Sequence, residues 1–545
     1  MPSELPPPPP AIVRQADTNT RIRLNTIGFL PTGIKQATVA GKVKAWQVVD
    51  LKTGAVALKG SDARAFTTSR EETDEKVHLI DFSALSQPGD YRLEVPSVGS
   101  SAPFSIGETI WAKPYQLIAR AMYLWRCGTA VEGTWQGQTY RQAPCHLQDG
   151  YLDVVTGTHT HRPGTGGWHD AGDYNKYVVN AGVTVGLMLK AWEHFGDRLA
   201  PLSHDIPESS DTVPDLLNEV RWEVEWLFSM QADDGKVYHK LSSPDFRFWG
   251  PAEKDLDPRY FSPWSTIATA DFTAMMAATA RHWRAFDPAF ADRCLAAARR
   301  SWEVLRAHPQ QIDPDLSAFK TGGYTAKDAS HRLWAAAELW ETTGEAGFLQ
   351  ALEKAAAAET FTPQGPTWGD VQDLALATYL LSSRPAQRDP ALVARLTRDL
   401  LAVTDKIISL SQKSGYARPL GFDRKSWYWG ANGTVAGQTL LLHLADRLQP
   451  DPKYRRTAEH AVAFLFGRNY HGRSYVTGLG ALPPAHPHDR RGEPAWPGYL
   501  VGGGHPDGRS WKDELARYDL NEIAINWNGA LLYAVAAFTP APDAK

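Results

Sequence analysis

The sequence predicts a two-part fold, a small all-β sandwich followed by a large all-α domain. The chain has 545 residues, which is too long for one ordinary domain. Short, partly alternating apolar segments fill residues 20–106, whereas Ala- and Leu-rich segments with apolar residues three and four apart fill residues 110–540. We therefore expect a β domain over 20–106 and a helical domain over 110–540.

Residues 1–19 are expected to be a Pro-rich tether. Five consecutive prolines, Pro6 to Pro10, favour an extended and partly stiff segment over a folded one. This stretch contains no apolar signal core. The start therefore fits either a cytoplasmic protein or one whose signal peptide has been replaced by an initiator methionine.

The β domain is predicted from short strands separated by turn signals. The turns are Lys-Thr-Gly at 52–54 and Gln-Pro-Gly-Asp at 87–90. Strands at such short spacing indicate a small sandwich. The clearest candidate strands are residues 21–25, 37–40, 46–50 and 91–95.

The helical domain is predicted from about twelve periodic segments with no strands between them. That pattern favours a closed barrel of helical hairpins. Long Gly-, Pro- and His-rich connections at 145–172, 234–264 and 468–519 are expected to be functional loops on one face. The candidate helices are 113–126, 174–195, 213–230, 265–285, 289–307, 326–342, 346–357, 368–383, 390–410, 430–447, 452–467 and 520–537.

Composition excludes two classes of partner. The net charge is −4 without a basic stripe, so we expect no nucleic acid partner. No apolar run approaches the ~20 residues of a bilayer span, so we expect no membrane insertion. Aromatic residues make up 11% of the chain, which suits both a large core and stacking on sugar rings.

The most informative motif is Gly-Gly-Trp-His-Asp-Ala-Gly-Asp at residues 166–173. It places Asp170 and Asp173 three residues apart, ahead of an apolar run, while another carboxylate, Glu522, lies far downstream. Hydrolysis of a glycosidic bond needs one carboxylate to take a proton from water and another carboxyl group to give one to the leaving oxygen. The alternative is that the two aspartates only cap a helix.

Several separated blocks resemble glycoside hydrolase family nine, the inverting cellulases, over essentially all of 110–540. The β domain resembles the immunoglobulin-like domain that precedes the catalytic domain in one branch of that family. The resemblance implies an (α/α)6 barrel. Besides 166–173, the matching blocks are Val-Tyr-His-Lys at 237–240, Ser-Thr-Ile-Ala-Thr-Ala at 265–270, Trp-Ala-Ala-Ala-Glu-Leu at 334–339, Tyr-Val-Thr-Gly at 475–478, His-Asp-Arg at 488–490 and Asn-Glu at 521–522.

The resemblance implies a role for each of the three carboxyl groups. Asp173 corresponds to the catalytic base, Asp170 to the aspartate that helps hold the attacking water, and Glu522 to the general acid. An inverting enzyme keeps its acid and base roughly 6.5–9.5 Å apart, so that a water molecule fits between the base and the sugar. Burial beside Ile523 and Trp527 is expected to raise the pKa of Glu522 and to keep it protonated.

Five further residues match sugar-contacting positions of the family. His488 and Arg490 match its substrate contacts next to the scissile bond, with a solvated polar loop as the alternative. His239, Trp429 and Trp527 match other sugar contacts, with plain packing as the alternative for each.

Two residues depart from the family pattern. Leu482 stands where a polar residue is usual, and Gly529 stands where Ala, Ser or Thr is usual. Both were expected to lie near the cleft, which leaves the substrate preference open.

The three cysteines do not suggest a disulfide framework. The resemblance implies a structural zinc ion held by Cys127, Cys145, His146 and His169, because two thiolates and two imidazoles close a tetrahedral site. A disulfide between Cys127 and Cys145 is the alternative. We expect Cys294 to be an inert buried thiol.

Calcium remains open as a second cofactor. Family members often carry an Asp-Glu pair before the Trp-Ala-Ala-Ala-Glu-Leu helix, where this chain has Ser-His-Arg at 330–332. Asp328 and the loop carbonyls at 321–323 remain, but calcium prefers several charged oxygens. We therefore expect that site to be weakened or absent, with the acidic stretch 208–211 as an alternative location.

The predicted function is an inverting endo-β-1,4-glucanase acting on cellulose or a related β-glucan. The alternatives are an exo-acting cellodextrinase or exo-β-glucosaminidase on the same fold, and a non-catalytic carbohydrate-binding protein. The last is disfavoured because all three carboxyl groups are present. A polymeric substrate implies a secreted or periplasmic enzyme, and we expect a monomer.

Overall fold

A computed structural model describes residues 20–358 and 362–540. The predicted tether, residues 1–19, lies outside the described residues. The chain has an all-β N-terminal domain of immunoglobulin-like type followed by a helical domain, as the sequence predicted. None of the helices in the described part of the chain has the length and apolar character that crossing a bilayer requires.

Two sheets form the N-terminal domain. One has the strand order β1-β3-β7-β6, and the other has the order β2-β10-β8-β4-β5 with β9 paired to β8. Neighbouring strands are antiparallel except for the parallel pair β2 and β10. The strands are β1 (Ile22–Arg23), β2 (Gly28–Phe29), β3 (Gln36–Val39), β4 (Trp46–Asp50), β5 (Val56–Gly60), β6 (Arg64–Thr67), β7 (Lys76–Asp81), β8 (Gly89–Val95), β9 (Gly99–Ser100) and β10 (Phe104–Ile106).

The two sheets enclose one apolar core. Alternation along β8 buries Tyr91, Leu93 and Val95 on one face, as expected for a strand with one face in the core. Phe29, at the end of β2, packs edge-on against Phe104 with ring centroids 5.4 Å apart. The alternating pattern in the sequence therefore reflects burial between the sheets.

The remaining chain forms fourteen helices and five short strands within the described residues. The helices are α1 (Ala112–Tyr123), α2 (Asp153–Thr156), α3 (Val178–Leu199), α4 (Asp215–Met230), α5 (Thr266–Trp283), α6 (Pro288–Ala307), α7 (Ala329–Thr343), α8 (Ala346–Ala358), α9 (Gln372–Leu380), α10 (Pro390–Lys413), α11 (Ala431–Leu448), α12 (Pro452–Leu465), α13 (Tyr518–Asn521) and α14 (Ile525–Ala536). The strands are β11 (Val131–Trp135), β12 (Gln138–Gln142), β13 (Lys176–Tyr177), β14 (Lys240–Ser242) and β15 (Tyr260–Phe261).

The twelve long helices form a double-layered barrel. Helices α11, α14, α3, α5, α7 and α9 contact one another in that order and form the inner layer. Each packs against an outer helix from α1, α4, α6, α8, α10 and α12. Every residue of the inner helix α9 is buried, whereas the outer helix α10 buries residues at helical spacing, such as Leu392, Leu396 and Leu400.

Three outer helices share the same start signal. Asp287, Asp389 and Asp451 each accept a hydrogen bond from a backbone N–H of the first helical turn. A proline follows each aspartate at the first helical position, where its missing N–H costs nothing. The Asp-Pro pairs therefore fix where α6, α10 and α12 begin.

The helical domain differs from its prediction in three places. Strands do occur in it, as the hairpin β11–β12 and the sheet β13-β14-β15. The predicted helix 174–195 begins only at Val178, because residues 176–177 pair with β14. The predicted helix 520–537 is split into α13 and α14, because Glu522 and Ile523 form bridges to His488 and Val501.

The β domain docks on the helical domain through buried polar groups. The Thr38 hydroxyl donates to the Gly415 carbonyl at 2.7 Å and accepts from Nε of Arg468 at 3.2 Å. Glu72 accepts a hydrogen bond from Ser414, and Arg23 bonds to Tyr416. The docking face therefore depends on paired polar groups that are buried from water.

Replacing Thr38 by Val should destabilise this face. The change keeps the shape of the side chain but leaves the Gly415 carbonyl and the Arg468 N–H without this partner. We expect the free energy of unfolding to fall by about 1–3 kcal/mol in denaturant titrations. Thr67→Val on the exposed end of β6 is the matched control, and equal effects of the two changes would contradict the assigned role of Thr38.

Candidate active site

Two loops meet at one end of the barrel and bring the three predicted carboxyl groups together. Asp170 and Asp173 lie in the loop that leads into α3, and Glu522 lies between α13 and α14. The backbone N–H of Ile525 donates to the Asp170 carbonyl at 2.9 Å. The Gly172 N–H favours the charged form of the neighbouring Glu522 carboxyl group. The structure thus places all three carboxyl groups in one site.

Gly172 is required where the aspartate loop meets the segment that carries His488 and Arg490. A Cβ atom on this residue would lie 2.4 Å from the His488 carbonyl oxygen, closer than non-bonded atoms can come. The Gly172 carbonyl also accepts from the Arg490 N–H at 3.1 Å. Any side chain at position 172 would push the aspartate loop away from the segment that carries His488 and Arg490.

Each aspartate is held by its own partners. Oδ1 of Asp170 accepts from the Asn180 amide at 2.7 Å, and Oδ2 accepts from the Tyr324 hydroxyl at 2.6 Å. Oδ1 of Asp173 accepts from the Asn175 N–H at 3.0 Å. Neither aspartate caps α3, whose first turn receives no side-chain cap. The capping interpretation of these two residues is therefore wrong.

The electrostatic environment raises the pKa of all three carboxyl groups. Asp170 and Asp173 are 2% and 8% exposed, and burial is the main cause of the raised pKa of each. The neighbouring charge of Asp173 raises the pKa of Asp170 further, whereas Arg490 opposes the rise for Asp173. Burial and repulsion by both aspartates raise the pKa of Glu522 well above its usual value. Glu522 is therefore the group best able to keep a proton.

His488 and Arg490 lie beside the carboxyl groups. Nδ1 of His488 donates to the Leu515 carbonyl at 2.7 Å, and burial lowers the pKa of the ring. The Arg490 guanidinium donates to the Phe248 carbonyl at 3.0 Å and lies over the Trp249 ring. Both side chains belong to the site and not to a solvated loop remote from it.

An aromatic-lined cleft of about 560 Å³ adjoins this site. Trp429 lies half exposed in the wall of the cleft. Trp527 also lines the cleft and packs against Gly430. Gly430 has a φ of +83°, and a Cβ atom there would lie 2.5 Å from the Trp527 ring, so only glycine fits. Both tryptophans therefore line the cleft, and their contact with sugar stays a prediction.

Sequence reasoning missed several side chains of the site. Trp249 packs edge-on against His488, and Tyr518 bridges His488 to Trp429. Tyr324, which bonds Asp170, also contacts Trp368 of the cleft wall. The cluster of aromatic residues around Trp249 in the loop 234–264 could have indicated that Trp249 belongs to the site. Nothing local in the sequence indicated Tyr324.

His239 and Gly529 lie away from the cleft surface. The His239 side chain is fully buried, with its ring nitrogens 2.8 Å from the Ser265 hydroxyl and 2.6 Å from the Gly323 carbonyl. These contacts favour the packing alternative for His239. Gly529 packs against the backbone of Thr184 between α14 and α3, and its influence on the cleft stays a prediction.

The four predicted zinc ligands form one cluster. Ligand atoms of Cys127, Cys145, His146 and His169 all lie within 4.8 Å of one another. The sulfur-to-nitrogen distances of Cys127 to His146 and of Cys145 to His169 are both 3.6 Å. Tetrahedral zinc with its usual bond lengths gives a sulfur-to-nitrogen edge of about 3.5 Å. Asp255 accepts from the outer nitrogen of His146 at 3.3 Å, the usual support for a metal-bound histidine.

The oxygens considered for calcium have protein partners in the structure. The Thr321 hydroxyl and the Gly322 carbonyl both accept from Nζ of Lys240, at 2.9 and 2.8 Å. Asp328 pairs with Arg332 at 2.8 Å. In the alternative stretch 208–211, Glu208 pairs with Arg126 and Asp211 accepts from Asn218. The weakened calcium site stays a prediction.

The arrangement has the groups that glycosidic hydrolysis requires. Glu522, whose pKa is strongly raised, interacts electrostatically with two aspartates, and a cleft lined by aromatic rings lies beside them. Such a set can protonate a leaving oxygen and activate water. Fold and site together define a glycoside hydrolase.

Comparison with known proteins identifies the family. Residues 111–535 match the model of glycosyl hydrolase family 9, and residues 17–100 match the cellulase N-terminal ig-like domain. The chain belongs to glycosyl hydrolase family 9 and is a glycoside hydrolase related to endoglucanases, which confirms the resemblance found in the sequence.

Three relatives illustrate the similarity. Endoglucanase D of Acetivibrio thermocellus is 46% identical over 530 residues, covering 95% of this chain and 83% of the relative. The crystal structure of a metagenome-derived family 9 endoglucanase is 34% identical with a TM-score of 0.89, covering 95% and 99% of the two chains. The crystal structure of a Zn-binding triple mutant of the family 9 endoglucanase J30 is 30% identical with a TM-score of 0.87, covering 94% and 100%.

Replacing Tyr324 by Phe should change the pH dependence of activity. The Tyr324 hydroxyl stabilises the charged form of Asp170, so its removal should raise the pKa of Asp170. The predicted role of Asp170, holding the attacking water, requires the ionised carboxylate, so activity should be lost at a higher pH as the pH falls. The acidic limb of the kcat/KM profile should move to higher pH, whereas Tyr428→Phe, in the cleft wall, should leave it in place. An unchanged acidic limb in Tyr324→Phe would contradict this account of Asp170.

Proposed function

We propose that this chain is an endo-acting β-1,4-glucanase that cleaves with inversion of the anomeric carbon. Asp173 is the base, Asp170 helps to hold the attacking water, and Glu522 is the general acid. The observation that carries this proposal is that backbone contacts of Asp170 with Ile525 and of Gly172 with Arg490 hold the two aspartates in one site with Glu522, whose pKa is strongly raised. The similarity to endoglucanases supports the same conclusion.

The chemistry follows from these groups. Glu522 gives its proton to the glycosidic oxygen as the bond to the anomeric carbon breaks. Asp173 takes a proton from the water molecule that attacks the same carbon from the opposite face. The products are a sugar with inverted anomeric configuration and a free hydroxyl on the leaving chain. Glu522 is left ionised and Asp173 protonated, and one proton exchange with solvent restores both.

The cleft supports a polymeric substrate. Ring contacts run from Trp249 through His488 and Tyr518 to Trp429, a row long enough for several sugar rings. Arg490 lies beside this row with donors for sugar hydroxyl groups. A row of several stacking positions favours endo action over an exo-acting cellodextrinase or exo-β-glucosaminidase.

The substrate indicates where the enzyme acts, and the composition of the site bears on its oligomeric state. A polymeric glucan cannot enter a cell, so we place the enzyme outside the cytoplasm, secreted or periplasmic. The site is complete within one chain, since Asp170, Asp173 and Glu522 all come from the same molecule. This is consistent with a monomer.

Product analysis on cello-oligosaccharides tests the function. Proton NMR during the first turnovers should detect the α-anomer as the new reducing end, because one displacement inverts the β-linkage. Oligosaccharides should be cut at internal bonds. Initial release of the β-anomer, or release of terminal units alone, would contradict inversion or endo action respectively.

Replacing Glu522 by Gln tests the acid in the same assay. The change should lower kcat on cello-oligosaccharides by about 10²–10⁴-fold, the usual contribution of general acid catalysis. An aryl cellobioside with a good leaving group needs little protonation and should lose far less. Glu514→Gln, an exposed residue nearby, is the matched control. Equal losses on both substrates would argue against Glu522 as the acid.

We also propose that Cys127, Cys145, His146 and His169 hold a structural zinc ion. Such a closed site supplies no catalytic chemistry, and its benefit is mechanical. His169 is adjacent to Asp170, so the site would fix the start of the aspartate loop. The separations of the ligand atoms and the Asp255 contact support zinc, and a Zn-binding variant of a related endoglucanase agrees with it.

Metal analysis tests the zinc site. The purified protein should contain about one zinc per chain, and Cys127→Ser should lose it along with thermal stability. Cys294→Ser, a buried thiol outside the cluster, should keep the metal. Titration of the denatured protein should find three free thiols. One free thiol and no zinc would instead establish the Cys127–Cys145 disulfide.

A further inference from the structure

Three buried charged side chains lie beneath the aspartate loop. Arg259, Asp149 and Lys176 are 1%, 5% and 1% exposed. The Asp149 carboxylate accepts from Nε of Arg259 at 2.9 Å, pairs with a second Arg259 nitrogen, and pairs with Nζ of Lys176 at 3.1 Å. Burying two cations and one anion is costly unless each finds several partners. The remaining donors of the two cations therefore need partners.

Those partners are backbone atoms of the aspartate loop. Lys176 donates to the Gly164 carbonyl at 2.6 Å and to the Gly166 carbonyl at 2.9 Å. Arg259 donates to the Tyr174 carbonyl, which directly follows Asp173. The cluster thus holds the loop 164–176 on both sides of Asp170 and Asp173.

The cluster also contacts the proposed metal site. Arg259 donates to the sulfur of Cys127 at 3.3 Å. One guanidinium group therefore touches a cysteine of that site, the Asp149 carboxylate and the backbone beside Asp173. A planar group with five donors can do this, whereas a lysine ammonium cannot reproduce the same geometry.

We propose that Arg259, with Asp149 and Lys176, positions the proposed base Asp173 for water activation. Arg259 is a positioning residue, since it touches the loop and not the substrate. Its charge also favours the ionised form of Asp173, the form that accepts the proton. This inference rests on the proposed role of Asp173.

Two variants of Arg259 separate position from charge. Arg259→Lys keeps the positive charge but loses the multiple contacts, whereas Arg259→Met loses both. Displacing a reacting group by about 1 Å can cost about 10²-fold in rate. We expect kcat to fall about tenfold to 10²-fold in both variants, with KM changed less than about twofold.

Two further readouts distinguish this role from a merely structural one. The loss should be equal on cello-oligosaccharides and on an aryl cellobioside, because both need the activated water. The acidic limb of kcat/KM should move to higher pH in Arg259→Met and stay in place in Arg259→Lys. The other titratable groups that interact with Asp173 are unchanged in both variants: Asp170, Tyr177, Lys240, Arg490 and Glu522.

Arg468→Lys is the control for the loss of a buried arginine. Arg468 is 1% exposed at the domain interface, so its replacement should lower the melting temperature without changing kcat. Unchanged kcat in Arg259→Lys, or an equal loss of kcat in Arg468→Lys, would overturn the proposal. If Arg259→Met does not fold, the kcat and leaving-group results of Arg259→Lys decide.

Asp173→Ala separates this inference from the proposed function. Activity retained in Asp173→Ala would refute Asp173 as the base, whatever the Arg259 variants do. Activity lost in Asp173→Ala but unchanged in both Arg259 variants would refute the positioning role alone.

Discussion

The contact between the aspartate loop and the Glu522 segment is the constraint on which the site depends. The Ile525 N–H, just after Glu522, donates to the Asp170 carbonyl, and the Arg490 N–H donates to the Gly172 carbonyl. At Gly172 the aspartate loop comes so close to the His488 carbonyl that no side chain fits, and His488 is itself bridged to Glu522. Because both bonds join backbone atoms, the aspartate loop cannot move away from either segment without breaking one of them. Burial raises the pKa of Glu522, and the repulsion between the neighbouring carboxyl groups raises it further. The enclosed arrangement of the three groups therefore sets both the geometry and the protonation state.

The barrel makes this contact available. Loops that precede inner helices meet at one end of it, since Tyr324, ahead of α7, bonds Asp170 and contacts Trp368, ahead of α9. Asp170 and Asp173 precede α3, and Glu522 precedes α14. The β domain docks beside this end, since Glu72 bonds Ser414 of the segment that leads to the cleft wall. The β domain therefore supports the cleft through its docking face.

Much of the fold could be predicted from the sequence because its signals are local. Apolar residues three and four positions apart predicted the twelve long helices. Alternation of apolar and polar residues predicted the strands of the β domain. The split at Glu522 and the strand β13 were missed because both arise from pairing with segments distant in the chain. Local periodicity contains no information about such partners.

The residues of the site that lie in short sequence motifs could be predicted. The stretch 166–173 and the pair 521–522 matched family blocks, and the structure brings them together. Tyr324 was missed because it bonds Asp170 from 154 positions away. His239 matched a sugar-contacting position, yet it is enclosed by Ser265 and Gly323, which no spacing could reveal.

The ammonium group of Lys240 holds the loop 321–323 without the help of a dissolved ion. This group bonds the Thr321 hydroxyl and the Gly322 carbonyl, so a covalently attached cation holds oxygens that a dissolved ion could otherwise bind. A tethered cation cannot be diluted, exchanged or removed by a chelator. The loop beside Tyr324 therefore keeps its electrostatic partner in media of any mineral content.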